Sequence, residues 1–318
     1  MARFNVSEVV SKRYKIVRHL GEGAQSCVYL VDDLALPGAQ WALKQLRLQE
    51  FSQEDGIHAL ELFKREGQIL QTLSHPAIPR FVDSDYTLED PYIVMERVLG
   101  TPMQALLDSL THPLSLFEAI PIALQITHIL NLLHTQEPPI IYRDLKPSNL
   151  ILTDSGLVRL LDFGIARFFN KDNLKDTQEL GTPGYSAPEQ YRGNSCIQSD
   201  IYSLGVILFF MFTLKDPQDC NFIFPSLKSL NDKLPSELSQ LVAQCLDMDD
   251  SKRPTSALEV QRTLFNILKV ADKEQSSKLT RILNLGLISV RDHVNQLNWN
   301  SQKKDRRSLF SAIFFGKD

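Results

Sequence analysis

Cysteine is scarce in this chain, and its spacing is uninformative. The 318 residues hold four, Cys27, Cys196, Cys220 and Cys245, and no two have the C-x-x-C separation of a zinc or redox motif. Free thiols in a reducing compartment are the reading this leaves. A strong charge of one sign is also missing. The formal net charge is −4, which gives no support to nucleic-acid binding across the surface. Long apolar runs are lacking too. The stretch from Leu204 to Phe212 is among the longest and falls short of a bilayer span. Residues 1–15 have no apolar core of a signal peptide, so a soluble cytoplasmic protein is expected, with peripheral membrane contact left open. No internal repeat and no long low-complexity segment occurs.

What is present is a chain of ordinary composition, 43% apolar and 23% charged, long enough for two domains or for one large domain with a tail. Its first hundred residues read mainly as short strands: Tyr14 to Leu20, Cys27 to Val31, Gln40 to Leu46, Pro79 to Asp83 and Tyr92 to Glu96. One helix interrupts them, with Ala59, Leu62, Phe63, Ile69, Leu70 and Leu73 at helical spacing and His75-Pro76 as its stop. Beyond Gly100 helices take over: Ser115 to His134, with Pro121 expected to bend its start, then Asp200 to Leu214, Ser236 to Leu246 and Ser256 to Leu268. Two short strands, Leu150 to Leu152 and Val158 to Leu160, flank the turn Asp154-Ser155-Gly156. The expectation is an α+β protein of two lobes with a cleft between them, joined near Arg97 to Gly100.

Residues 271–318 differ. Nine lysines and arginines face five acidic residues there, a net +4, which leaves −8 for the rest of the chain. Leu279, Leu283, Leu287, Val290, Val294 and Leu297 form an amphipathic stripe. A basic run from Lys303 to Arg307 precedes the apolar Leu309 to Phe315.

Several short stretches carry chemistry. In "LGEGAQSCVYLV", Gly21 and Gly23 lie between strands, where a bare backbone can approach a phosphate; a plain hairpin turn would look the same. In "WALKQL", Lys44 stands in an apolar strand and needs an acidic partner, which Glu66 of "LFKREGQIL" can supply; a snorkelling surface lysine is the plain alternative. In "LLDFGIAR", Asp162 follows an apolar strand, a position suited to a divalent cation and equally to a turn aspartate. "IYRDLKPSNLIL" packs Arg143, Asp144, Lys146 and Asn149 into one loop before a buried strand.

Taken in order, Gly21-x-Gly23, Ala42-x-Lys44, Glu66, Arg143-Asp144 through Asn149, Asp162-Phe163-Gly164 and Ala187-Pro188-Glu189 resemble the signature set of a protein kinase. "DLKPSN" and "GTPGYSAPEQ" are similar to bacterial serine/threonine kinases. The resemblance runs over residues 14–269, with an N-lobe of about 14–98, a C-lobe of about 99–269 and an extension over 270–318. It implies a bilobal protein-kinase-like fold, small and β-rich then larger and helical. It also implies Mg2+-dependent transfer of the γ-phosphoryl of ATP to serine or threonine hydroxyls of protein substrates, with autophosphorylation.

The same resemblance assigns roles. Asp144 and Lys146 would be catalytic, and Asn149 and Asp162 would hold magnesium. ATP would meet Leu20, Gly21, Gly23, Val28, Ala42, Lys44, Glu66, Met95, Glu96 and Val98, the last two through backbone groups. Arg143, Thr177 and Thr182 would be regulatory, Thr177 as a phosphate acceptor and Thr182 as a partner of Asp144 and Lys146. Tyr142, stacked on Phe163, together with Glu189, Asp200 and Arg253, would be structural, with Glu189 paired to Arg253. Two departures stand out: Ser26 replaces the usual third glycine, and Tyr142 stands where histidine is commonest. A nucleotide-binding pseudokinase scaffold is the alternative, and the intact charged set argues against it. The tail would pack on the helical lobe through residues 279–297 or touch an anionic membrane, and activation in trans would favour transient dimers.

Overall fold

The computed structural model describes residues 4–23, 25–164, 166–168 and 181–275, with backbone alone for 167–168 and 272–275. The chain forms two compact units. The first comprises Met1–Leu99 and Leu161–Ile165, and the second Gly100–Leu160 and Ala166 onward.

The first unit is a six-stranded sheet with one long helix. Strands β1 (Val9–Val10), β2 (Tyr14–Glu22), β3 (Ser26–Asp33), β4 (Gln40–Leu46), β5 (Phe81–Asp85) and β6 (Tyr92–Glu96) run in the spatial order β1-β2-β3-β4-β6-β5. All their pairings are antiparallel. Strand alternation divides the side chains between two faces. Tyr14, Ile16, Cys27, Tyr29, Val31, Leu43, Tyr92 and Val94 fill one, where Phe4 and Val10 close over them. Val28 pairs with Lys44 and Ala42 with Met95, so these four share the opposite face. The strand expected over Pro79 to Asp83 lies two residues later, because the turn in which the Ile78 N–H donates to the His75 carbonyl delays its start.

Helix α1 (Gln53–Thr72) follows β4. Ser52 caps it by accepting the Asp55 N–H, and Glu54 and Asp55 suit the positive end of its dipole. Gly67 sets how near the helix comes to the sheet: a Cβ there would lie 1.9 Å from Tyr86 Oη and 3.5 Å from Ile93 Cδ1.

The second unit is mainly helical. Short strands β7 (Thr101–Pro102), β9 (Leu150–Leu152) and β10 (Val158–Leu160) form one sheet, and β8 (Ile140–Ile141) pairs with β11 (Arg167–Phe168). This unit's α-helices among the described residues are α2 (Met103–Ser109), α3 (Leu116–His134), α4 (Ile197–Thr213), α5 (Leu227–Leu230), α6 (Ser236–Cys245) and α7 (Ala257–Gln275). Ser115 and Glu118 cap α3 reciprocally. Contrary to the expectation that no stretch suits a bilayer, α3 is long and apolar enough to cross one by composition, and two-thirds of its residues are buried. Its apolar surface packs on α4, α7 and β10 instead. Its one buried amide serves the hairpin: Gln125 Nε2 donates to the Gly156 carbonyl at 3.0 Å and its Oε1 accepts the Val158 N–H at 2.9 Å. That pair of bonds fixes the β9–β10 hairpin, which follows the polar loop 142–149.

Candidate active site

In the first unit, three charged side chains meet. Lys44 Nζ donates to both Glu66 oxygens at 2.7 and 2.8 Å and to Asp162 Oδ1 at 2.7 Å. Lys44 and Glu66 are buried, while the Asp162 side chain is half-exposed. Burial alone would lower the Lys44 pKa; the Asp162 and Glu66 carboxylates outweigh it and lift its pKa above the ordinary lysine value. Burial likewise pushes the Glu66 carboxyl up, against the pull of Lys44. Asp162 sits at φ +55° and turns its Oδ1 to the Gly164 N–H at 3.2 Å. A left-handed aspartate is uncommon, and its short side chain satisfies itself locally.

The other residues expected to meet nucleotide also lie in this unit. Leu20, Gly21 and Val28 are half-buried, Gly23 is exposed and Ala42 is buried. Met95, Glu96 and Val98 are half-buried at the end of β6 and just after it. The Glu96 N–H donates to the Arg80 carbonyl at 2.8 Å, so that donor is spent within the sheet.

The second unit gathers the loop residues. Asp144 Oδ1 accepts the Thr182 hydroxyl at 2.7 Å, and its Oδ2 accepts Asn149 Nδ2 at 2.8 Å and faces Lys146 Nζ at 2.9 Å. Lys146 Nζ also donates to Thr182 Oγ1 at 2.7 Å, and Asn149 Nδ2 to the Asp144 carbonyl at 2.9 Å. The carboxylate is therefore held by a hydroxyl, an ammonium and an amide.

Behind it lies Asp200, fully buried. Its Oδ1 accepts the Arg143 N–H at 2.7 Å; its Oδ2 accepts the Tyr142 N–H at 2.9 Å and meets His134 Nε2 at 2.8 Å. Gln190 Nε2 donates to the Arg143 carbonyl at 2.8 Å. These bonds hold Arg143 at φ +73°, a costly conformation for a long side chain that the surroundings over-determine. Tyr142 and Phe163 are both buried.

Glu189 and Arg253 form a bidentate pair at 2.7 and 2.9 Å, and Ser199 Oγ donates to Glu189 at 2.6 Å. Arg253 also donates to the carbonyls of Asp247 and Gln198 and stacks over Tyr202. Burial tends to raise the Glu189 pKa, but Arg253 and Ser199 prevail and hold it below the usual range.

Thr177 and the segment 279–315 lie outside the described residues. His134, Gln190 and Ser199, which complete these networks, were missed by sequence reasoning. Ser199 at least stands beside Asp200, but nothing in the sequence pairs His134 with a residue so far along the chain. Taken singly, each donor is of the kind magnesium takes: Asp162 of the first unit offers a half-exposed carboxylate, and Asn149 of the second an amide oxygen, its NH2 group being turned to Asp144.

The protein kinase domain family matches residues 14–265. A probable serine/threonine-protein kinase PknB of Lactococcus lactis is 32% identical over 97% of this chain and 52% of its own length. The serine/threonine-protein kinase PrkC of Bacillus subtilis is 30% identical over 84% of this chain and 43% of its own. This chain thus spans about half the length of the curated relatives it matches. The crystal structure of a cysteine-to-alanine mutant of the Mycobacterium tuberculosis PknI kinase domain superposes with TM-score 0.66 at 26% identity, covering 84% of this chain and 99% of that one.

Proposed function

This chain belongs to the protein kinase family, of the bacterial serine/threonine type, and from that premise we propose that it transfers the γ-phosphoryl group of ATP to serine or threonine hydroxyls of protein substrates, its own chain included. The observation that carries this reading is the Asp144 carboxylate held at once by Thr182, Lys146 and Asn149. A scaffold that only binds nucleotide has no need of a carboxylate so oriented.

Phosphoryl transfer asks a protein for position and charge more than for covalent chemistry. In this reading Asp144 orients the acceptor hydroxyl and takes its proton, and Lys146 offsets charge on the transferred group. Lys44, kept protonated by Glu66 and Asp162, grips the α- and β-phosphates. Asn149 and Asp162 would hold Mg2+, which supplies further neutralisation of the phosphates. The pre-organised donors around Asp144 spare the reaction that reorganisation.

We also place the chain in the cytoplasm, which its four free cysteines support. Autophosphorylation in trans, with Thr177 as acceptor, would bring two copies together transiently. For residues 279–297 we favour packing on the helical unit; liposome co-sedimentation with and without residues 300–318 tests the membrane alternative. The decisive assay for activity compares label incorporation from γ-labelled ATP and Mg2+ by the parent and by Asp144→Ala. Equal incorporation by the two would overturn the assignment.

A further inference from the structure

His19, Glu22 and Cys27 bring an imidazole, a carboxylate and a thiol within 4.8 Å of one another on the β2–β3 hairpin. In a regular strand His19 and Glu22, three apart, would point to opposite faces. Here a β-bulge intervenes. His19 is opposite Tyr29, yet Gly21 is already opposite Val28 and Glu22 opposite Cys27, so Leu20 is the extra residue. That one insertion turns both side chains to the face that carries Cys27 and Tyr29. The His19 ring stands edge-on to Tyr29 with centroids 5.5 Å apart. Cys27 is fully buried and forms the floor, while His19 and Glu22 are exposed and leave an entry path.

We propose that these three residues form a site for a divalent cation of the zinc class, bound by one nitrogen, one oxygen and one sulfur with a fourth position open to water. Ligand atoms around a tetrahedral zinc stand about 3.3–3.8 Å apart for bonds of about 2.0–2.3 Å. Rotation of the two exposed side chains closes the remaining gap. Charge balances as well. The dication meets one thiolate and one carboxylate, and the thiol proton leaves to solvent on binding. Arg47, the cation that meets Glu22, is matched by Glu50 at 3.0 Å, and it bonds Glu22 Oε1 at 2.5 Å from outside, as outer-shell partners do. The motif is not the C-x-x-C spacing by which such sites are read from sequence, because the bulge and not the spacing assembles it.

Co2+ is the probe, since thiolate ligation gives it an intense near-ultraviolet band. Metal-free full-length protein is titrated with Co2+ and then with Zn2+. One equivalent should develop the band, and Zn2+ should abolish it. Cys27→Ala should lose the band, His19→Ala, which removes a direct ligand, should bind more weakly by at least the roughly 10–100-fold that loss of an outer-shell partner alone causes, and Cys196→Ala, which removes the thiol of the Glu189–Cys196–Asp250 group, should keep it. Hydrogen exchange across residues 19–28 should slow with Zn2+ in the parent and not in His19→Ala, an exposed substitution that leaves the core intact. The proposal fails if the parent shows no thiolate band, if the band survives Cys27→Ala, or if Cys196→Ala removes it.

Discussion

Asp200→Asn keeps the volume of a fully buried side chain and replaces one acceptor oxygen by an NH2 donor. Asp200 Oδ1 serves the Arg143 N–H, and Oδ2 serves the Tyr142 N–H and His134. Whichever way the amide is turned, it points a donor at a backbone donor. One buried N–H is then orphaned, at about 1–3 kcal/mol. The surviving bonds lose their charge assistance, about 1 kcal/mol more in all. The expected loss is about 3 kcal/mol, a factor of roughly 150 in the folding equilibrium. In urea, with a slope of about 3 kcal/mol/M, the midpoint should fall by about 1 M with the slope unchanged. Since Arg143 at φ +73° leads into Asp144, turnover should drop as well, with the KM for ATP nearly constant. A midpoint within about 0.2 M of the parent, a margin of roughly 0.6 kcal/mol at that slope, would refute the accounting.

Other outcomes follow from the same contacts. Arg253→Met should destabilise by about 3 kcal/mol by leaving the largely buried Glu189 side chain without its cation and with Ser199 as its remaining donor, and adding Glu189→Gln should recover part of that loss in thermal melts; no recovery would mean that Arg253 acts through its carbonyl bonds. The Arg13 guanidinium holds the Asp33 carboxyl down at about 2. Because its folded pKa is depressed, the stability it gives is present above pH 3.8 and lost as pH falls towards 2. Allowing for screening at half-exposed Arg13, that is on the order of 1–2 kcal/mol; Asp33→Asn should flatten this acid limb of the stability curve, and an unaltered limb would contradict the shift. Thr182→Val removes both hydroxyl bonds, to Asp144 and from Lys146. It should lower turnover about 10-fold or more, less than the roughly 10²–10⁴-fold that a positioned proton-transfer group itself contributes, while the melting temperature stays nearly fixed.

The charged residues were legible because burial makes them interdependent. A lysine inside "WALKQL" demands an acid, and Glu66 is bonded to it. Strands Leu150–Leu152 and Val158–Leu160 fall where alternation and the Asp-Ser-Gly turn put them. Helix ends moved by a few residues: α4 begins at Ile197 and not Asp200, since its capping bonds involve Cys196 and Ser199, not a usual cap residue. Tertiary choices were hidden. Nothing local announces that His134 would share Asp200, or that Leu161–Ile165, deep in the helical half of the sequence, would join the β-rich unit. The bulge at Leu20 was equally silent, because it depends on how two strands register and not on the composition of either.

The family match opens at Tyr14, yet Phe4 and Val10 lie upstream of it and seal the back of the sheet, Phe4 with its ring 5.5 Å from that of Tyr29. A recombinant fragment trimmed to the homology boundary would lay bare Tyr29, Cys27 and their apolar neighbours. Poor solubility of such a fragment would then reflect where the scissors fell.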